Sequence, residues 1–222
     1  VSMRFVVTGS GRCGTTYLSR LLTVAGIPCG HESVFDFRTE DTIAATGGPD
    51  WRHYQADSSW QAVPLLERFP HPTVLVVRHP LRVVNSLLGL GFFDDVVGAA
   101  NPVHATLRGF APEVYEQASE QDAALYTWLA LNRGALRHAE LLFRVERFGV
   151  AQFTRLLRWA GVDDVSRAPD VLREVGYVAN DFPNLRDATG RRHEVGWADF
   201  EDRELVGAAR DLAWTLGYGE TP

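Results

Sequence analysis

The segment Gly9-Ser10-Gly11-Arg12-Cys13-Gly14-Thr15-Thr16 joins the apolar run Phe5-Val6-Val7 to a stretch with apolar residues at helical spacing, Leu18, Leu21, Leu22 and Ala25. A strand, a glycine loop and a helix in that order make a cradle for a phosphate-like anion. Gly9, Gly11 and Gly14 let the backbone turn sharply and approach an anion closely. The unpaired N–H groups at the helix start then point at its oxygens. Gly26 and Pro28 supply the helix stop. A bare strand-to-helix turn uses glycines too, so residues elsewhere in the chain have to decide the chemistry.

Two loop chemistries fit poorly. The nucleoside-triphosphatase loop needs lysine after its last glycine, whereas Thr15 follows Gly14, and all 22 basic residues of this chain are arginine. With no lysine to reach the β- and γ-phosphates, ordinary kinase or ATPase chemistry is disfavoured. A cysteine phosphatase would pair Cys13 with Arg20, but six residues separate them, one more than that signature has. Cys13 therefore reads as a small loop side chain.

A second stretch, Thr73-Val74-Leu75-Val76-Val77-Arg78-His79-Pro80 and onward to Leu88, reads as a central strand, a sharp junction and a helix. Pro80 suits the first helical turn, and Val83, Val84, Leu87 and Leu88 form the apolar face. Arg78 then stands at the carboxyl end of a parallel strand, where open α/β sheets place ligands, and Ser86 follows eight positions later on the helix. The pair can address one anion.

The elements that must hold these residues follow from the same patterning. Arg4 to Thr8 is the first strand, apolar on both faces as in a parallel sheet. Cys29 to Phe35, which contains His31 and Glu32, is a second strand or a loop at the sheet's edge. Arg38 to Asp57 reads as surface loop, one wall of a substrate pocket. Ser58 or Ser59 caps a short helix carrying Trp60, Val63, Leu66 and Phe69, bent by Pro64. Gly89 to Gln121 has no sustained period and is either an insertion forming a lid or a surface loop bearing short helices. Asp122 to His138 is a helix, Leu141 to Glu146 a strand, Ala151 to Ala160 a helix, and Asp202 to Gly217 a final amphipathic helix. The sum is one α/β domain over residues 1–222, a three-layer sandwich with a central parallel sheet and insertions at about 38–57 and 89–121.

Composition narrows the partners. A formal charge of −6 argues against nucleic acid as a partner, though a local basic cleft can still hold a small anion. Two cysteines give no disulfide framework and suit a reducing cytoplasm. The first residues do not form a signal peptide, and no apolar run approaches the ~20 residues of a membrane helix, so a soluble, cytoplasmic chain is expected. No ligand cluster has zinc or calcium spacing, and no metal is expected.

These motifs resemble those of the sulfotransferases that use 3′-phosphoadenosine 5′-phosphosulfate (PAPS) as donor. Arg12 ahead of Cys13-Gly14-Thr15-Thr16 is similar to that family's 5′-phosphosulfate loop, with arginine as in many bacterial members where cytosolic ones carry lysine. Arg78 and Ser86 resemble its 3′-phosphate motif. Arg191-Arg192, followed by Gly196-Trp197, resembles the C-terminal loop that closes over the nucleotide, although His193 stands where that loop has glycine and the segment is one residue shorter. Arg144-x-Glu146 is similar to a strand end in bacterial members and is given a structural role.

The resemblance implies a P-loop nucleoside-phosphate kinase-like fold. It also implies sulfuryl transfer from PAPS, as co-substrate and without metal, to a hydroxyl or amine of a small-molecule or glycan acceptor. It assigns Gly11, Arg12, Cys13, Gly14, Thr15, Thr16, Arg78, Ser86, Arg191 and Arg192 to the donor, with Arg12 also stabilising charge on the leaving phosphate. The general base in the family is a histidine or a glutamate; Glu32 holds the place of the glutamate, with His31 as its neighbour and rival. If the segment is extended, the two point to opposite faces. Two other functions stay open: an atypical P-loop nucleotide kinase working with magnesium, and a non-catalytic nucleotide-binding protein.

Overall fold

The computed structural model describes residues 3–93, 102–176 and 194–219. It divides into two compact units. Among the described residues, the first gathers 3–9, 13–77 and 134–176, and the second gathers 10–12, 78–93, 102–133 and 194–219.

The first unit is built on a five-stranded, all-parallel sheet of β1 (Phe5–Thr8), β2 (Cys29–His31), β3 (Ala56–Ser58), β4 (Thr73–Val77) and β5 (Ala139–Arg144) in the order β2-β3-β1-β4-β5. β1 and β4 are buried along their whole length, as the uninterrupted apolar runs predict. Alternate side chains feed two cores. Phe5 and Val7 join Leu18, Leu21 and Leu22 of α1 (Thr15–Val24), Phe153, Leu156 and Leu157 of α6 (Val150–Trp159), and Val171 of α7 (Ala168–Val175). Val6 points the other way, to Ile43 of α2 (Thr39–Thr46), to Phe35 and Trp51, and to Ala62 and Leu65 of the 3-10 helix Trp60–Leu65. Helical layers thus cover both faces of the sheet, each large apolar side chain contributing about 1.5–3 kcal/mol by its burial. The α/β three-layer expectation holds.

Strand order places β2 and β3 on one side of β1 and β4 and β5 on the other. The reversal falls between β1 and β4, the point at which open α/β sheets bind ligands. Gly9 and Arg78 are the residues that directly follow these two strands.

In the second unit α3 (Pro80–Leu88) starts at Pro80 and buries Val83, Val84, Ser86, Leu87 and Leu88. The remaining described elements there are α4 (Pro102–Phe110), a 3-10 turn at Pro112–Glu116, α5 (Glu120–Leu136) up to Arg133, a 3-10 turn at Trp197–Asp199, and α8 (Arg203–Thr215). Asp122 is fully buried at the start of α5, where its carboxylate accepts from the Ser119 hydroxyl at 2.6 Å and from the Glu201 and Asp202 N–H groups at 3.4 Å. Asp202 in turn caps α8 by accepting from the Glu204 and Leu205 N–H groups at 2.9 Å.

Two of the expected elements need correction. Residues 38–57 are not a surface loop: they contain α2, a buried Trp51 and the start of β3. β3 is only three residues long and contains Asp57, too short and too polar for alternation to reveal it. In Gly89 to Gln121 the described residues include α4, the Pro112–Glu116 turn and the start of α5. The strand expected to reach Glu146 ends at Arg144 and passes into a 3-10 turn, Val145–Arg147. α7 had no counterpart among the expected elements.

Candidate anion and acceptor site

In the first unit, the chain around the glycine loop is fixed by close approach. A Cβ on Gly9 would run into the Val76 carbonyl of β4. Gly14, at φ 103°, is in the left-handed region directly before α1, and a Cβ there would also strike Val145. Cys13 is fully buried and in no disulfide, consistent with a packing role. No side chain caps α1 among the described residues, and its first turn has no acidic residue. The N–H groups of that turn and the positive end of the helix dipole are what an anion would meet, flanked by the Thr15 and Thr16 side chains.

His31 ends β2 beside this turn. Its Nε2 lies 3.0 Å from the Thr16 hydroxyl and 3.3 Å from the Thr15 hydroxyl. The extended backbone stops there: Glu32 has φ 52°, left-handed for a residue that pays ~1–2 kcal/mol for that conformation. The side chains of His31 and Glu32 separate because of this turn and not by strand alternation. Glu32 accepts from the Gln61 amide at 3.1 Å, and its own N–H donates to the Ser58 carbonyl at 3.3 Å. Burial raises the Glu32 pKa above the usual carboxylate range, Gln61 lowers it in part, and the Asp36 charge raises it further. Beneath the turn, Asp57 of β3 accepts from the Ser33 N–H at 3.1 Å and the Phe35 N–H at 3.0 Å. Burial pushes Asp57 up to about 6 against those hydrogen bonds.

In the second unit, Arg12, Arg78 and Ser86 come together. Arg12 Nε donates to the Ser86 hydroxyl at 2.9 Å, and Arg78 donates from a terminal guanidinium nitrogen to the Arg12 carbonyl at 3.2 Å. Arg12 has φ 67°; it and Glu32 are the two non-glycine residues with positive φ among those described. Trp128 of α5, fully buried, donates from Nε1 to the Arg78 carbonyl at 3.0 Å and fixes the junction between β4 and α3. Two guanidinium groups and a helix hydroxyl in hydrogen-bonded succession are a donor set for a phosphate or sulfate.

Arg191 and Arg192 lie outside the described residues. Just after them, the Val195 N–H donates to the Asn85 amide oxygen at 2.8 Å, so the returning chain is tied to the α3 residue next to Ser86. Asn85, Asp57 and Gln61 were not expected from the sequence; none stands in a glycine loop or at a recognisable spacing. Among the described residues no group of three or more His, Cys, Asp or Glu side chains could hold a metal ion. No helix among them is long and apolar enough to cross a membrane. Compared with protein-family models and with curated proteins, the chain matches none.

Proposed function

We propose that this chain is a PAPS-dependent sulfotransferase of the bacterial type, on a P-loop kinase-like fold, acting on a hydroxyl or amine of a small-molecule or glycan acceptor. The observation that carries the reading is the hydrogen-bonded cluster of Arg12, Ser86 and Arg78. A 3′-phosphate asks for the Arg78 guanidinium and the Ser86 hydroxyl, and an ATP site built on a P-loop lysine has no use for them. The uncapped start of α1, with Gly14, Thr15 and Thr16, supplies N–H donors for the 5′-phosphosulfate.

In the reaction the acceptor oxygen or nitrogen attacks sulfur, the bond from sulfur to the bridging oxygen of the 5′-phosphate breaks, and 3′-phosphoadenosine 5′-phosphate leaves. Glu32 takes the acceptor's proton, a role its raised pKa suits. Arg12 meets the charge growing on the leaving phosphate, so its contribution belongs to the transition state. Cys13 and Gly11 contribute shape and backbone to the loop, and Arg191 and Arg192 are assigned to the nucleotide by the sequence motif alone.

Calorimetric titration with 3′-phosphoadenosine 5′-phosphate, ADP and ATP tests the donor: preference for the first supports the reading, and preference for ATP with magnesium replaces it with a nucleotide kinase. Turnover of PAPS with an acceptor panel then separates an enzyme from a binding protein.

A further inference from the structure

We propose that Asp57 is a positioning residue for Glu32: it clamps the left-handed turn that carries the Glu32 carboxyl. The inference rests on the reading of Glu32 as the base. Asp57 lies fully buried in the middle of β3, opposite Val6 on one side and Gly30 on the other. A Cβ on Gly30 would run into Asp57 Oδ1 and Ser33, so the glycine leaves the hollow in which the carboxylate sits.

Each Asp57 oxygen takes a backbone N–H from the residues directly after Glu32: Oδ1 that of Ser33, and Oδ2 that of Phe35. The same strand receives the Glu32 N–H on the Ser58 carbonyl. A non-glycine residue at φ 52° does not hold that conformation unaided, and these three hydrogen bonds over-determine it. Gln61 then fixes the side chain from the 3-10 helix. A buried carboxylate is costly unless hydrogen-bonded, and here its bonds go to one turn, the turn that aims the base.

The groups facing the two carboxyls are known. β2 contributes the Cys29 thiol, pushed up to about 12 by burial with Asp57 adding to it, and His31, whose ring goes to Thr15 and Thr16. The turn contributes Asp36, which is paired with exposed Arg38. The 3-10 helix contributes neutral Gln61. The Glu32 charge adds to the burial that raises Asp57.

The test is a carboxyl NMR titration of the full chain, wild type and the variants Asp57→Asn and Glu32→Gln, with a rate profile beside it. Glu32→Gln is expected to lower the Asp57 midpoint, because it removes the charge that adds to the effect of burial on Asp57. An Asp57 midpoint that stays put overturns the placement of the two carboxyls side by side. Should Asp57→Asn fail to fold, this titration still decides the point. In turnover, Asp57→Asn is expected to cost about 10–100-fold in kcat with the donor KM within about twofold. A loss that falls equally on donor binding overturns positioning. If the wild type transfers no sulfuryl group at all, the function proposed above fails while the NMR titration still judges the placement of the two carboxyls.

Discussion

Arg12 and Ser86, 74 positions apart in the chain, are joined by a hydrogen bond of 2.9 Å from guanidinium Nε to hydroxyl. Arg78 completes the succession by donating to the Arg12 carbonyl. An anion arriving at Ser86 therefore meets a hydroxyl already oriented by one arginine, with a second arginine on the backbone of the first. Pre-orientation lowers the ordering cost of binding.

The first prediction concerns this cluster. Arg78→Ala and Ser86→Ala should each weaken binding of 3′-phosphoadenosine 5′-phosphate much more than of adenosine 5′-phosphosulfate, which lacks the 3′-phosphate. A charge-assisted contact is worth ~1.5–3 kcal/mol, so loss of the Arg78 guanidinium should cost tenfold or more. Calorimetry with both ligands measures it, and equal losses would remove the 3′-phosphate assignment.

Arg12 itself separates charge from backbone strain. At φ 67° alanine keeps the conformational penalty and glycine does not, so Arg12→Gly should be more stable than Arg12→Ala by roughly 1 kcal/mol. Both variants should lose turnover to a similar degree and more than they lose ground-state donor binding, because the charge that Arg12 meets is greatest in the transition state. Unchanged kcat with a raised KM would reduce Arg12 to a binding residue.

Where periodicity was long, the sequence foretold the structure closely. The predicted Asp202 to Gly217 helix is Arg203–Thr215, and Ala151 to Ala160 is Val150–Trp159. The Arg78–Ser86 spacing was legible because β4 and α3 are strongly apolar and Pro80 marks their junction. β3 was illegible: three residues with a buried aspartate carry neither alternation nor an apolar run, and their place is set by pairing with β1 and β2. Asp57 and Gln61 act through contacts made only after β2, β3 and the 3-10 helix are side by side. No local pattern announces that. The turn at Glu32 was missed for the same reason, since Asp57 enforces a left-handed conformation that glutamate does not prefer.

Stability should carry the mark of Asp57. Folded, it keeps its proton up to about pH 6, whereas in the unfolded chain it titrates near its ordinary 3.8. Between these values the folded state binds more protons. This contribution is full below the unfolded value and is lost as pH rises through about 6, a total of about 3 kcal/mol. Denaturant unfolding from about pH 4 to pH 7 should show that decline in the wild type and a shallower one in Asp57→Asn. Parallel curves would mean that Asp57 titrates normally.

Glycine 30 gives a structural test. Gly30→Ala sets a methyl group against Asp57 Oδ1 and the Ser33 side chain, one of them a buried carboxylate already committed to two N–H groups. The carboxylate must shift, and the variant should lose about 1–3 kcal/mol. Thermal unfolding measures it; a fully stable variant would show that the hollow has room to spare.

The last prediction decides the base. His31 faces the Thr15 and Thr16 hydroxyls at the head of α1, so its ring is engaged with the loop assigned to the phosphosulfate. Glu32 is held by Gln61 in surroundings that raise its pKa, which makes its carboxylate a stronger proton acceptor than an exposed one. Glu32→Gln preserves shape and removes the basic oxygen. It should cut turnover ~10²–10⁴-fold and leave affinity for 3′-phosphoadenosine 5′-phosphate nearly unchanged. His31→Asn should act chiefly on donor binding. The wild-type rate should rise with pH through a midpoint above the ordinary glutamate range, since Glu32 must lose its proton to work and burial delays that loss. If Glu32→Gln turns over normally and His31→Asn does not, His31 is the base and Glu32 is a structural member of the turn.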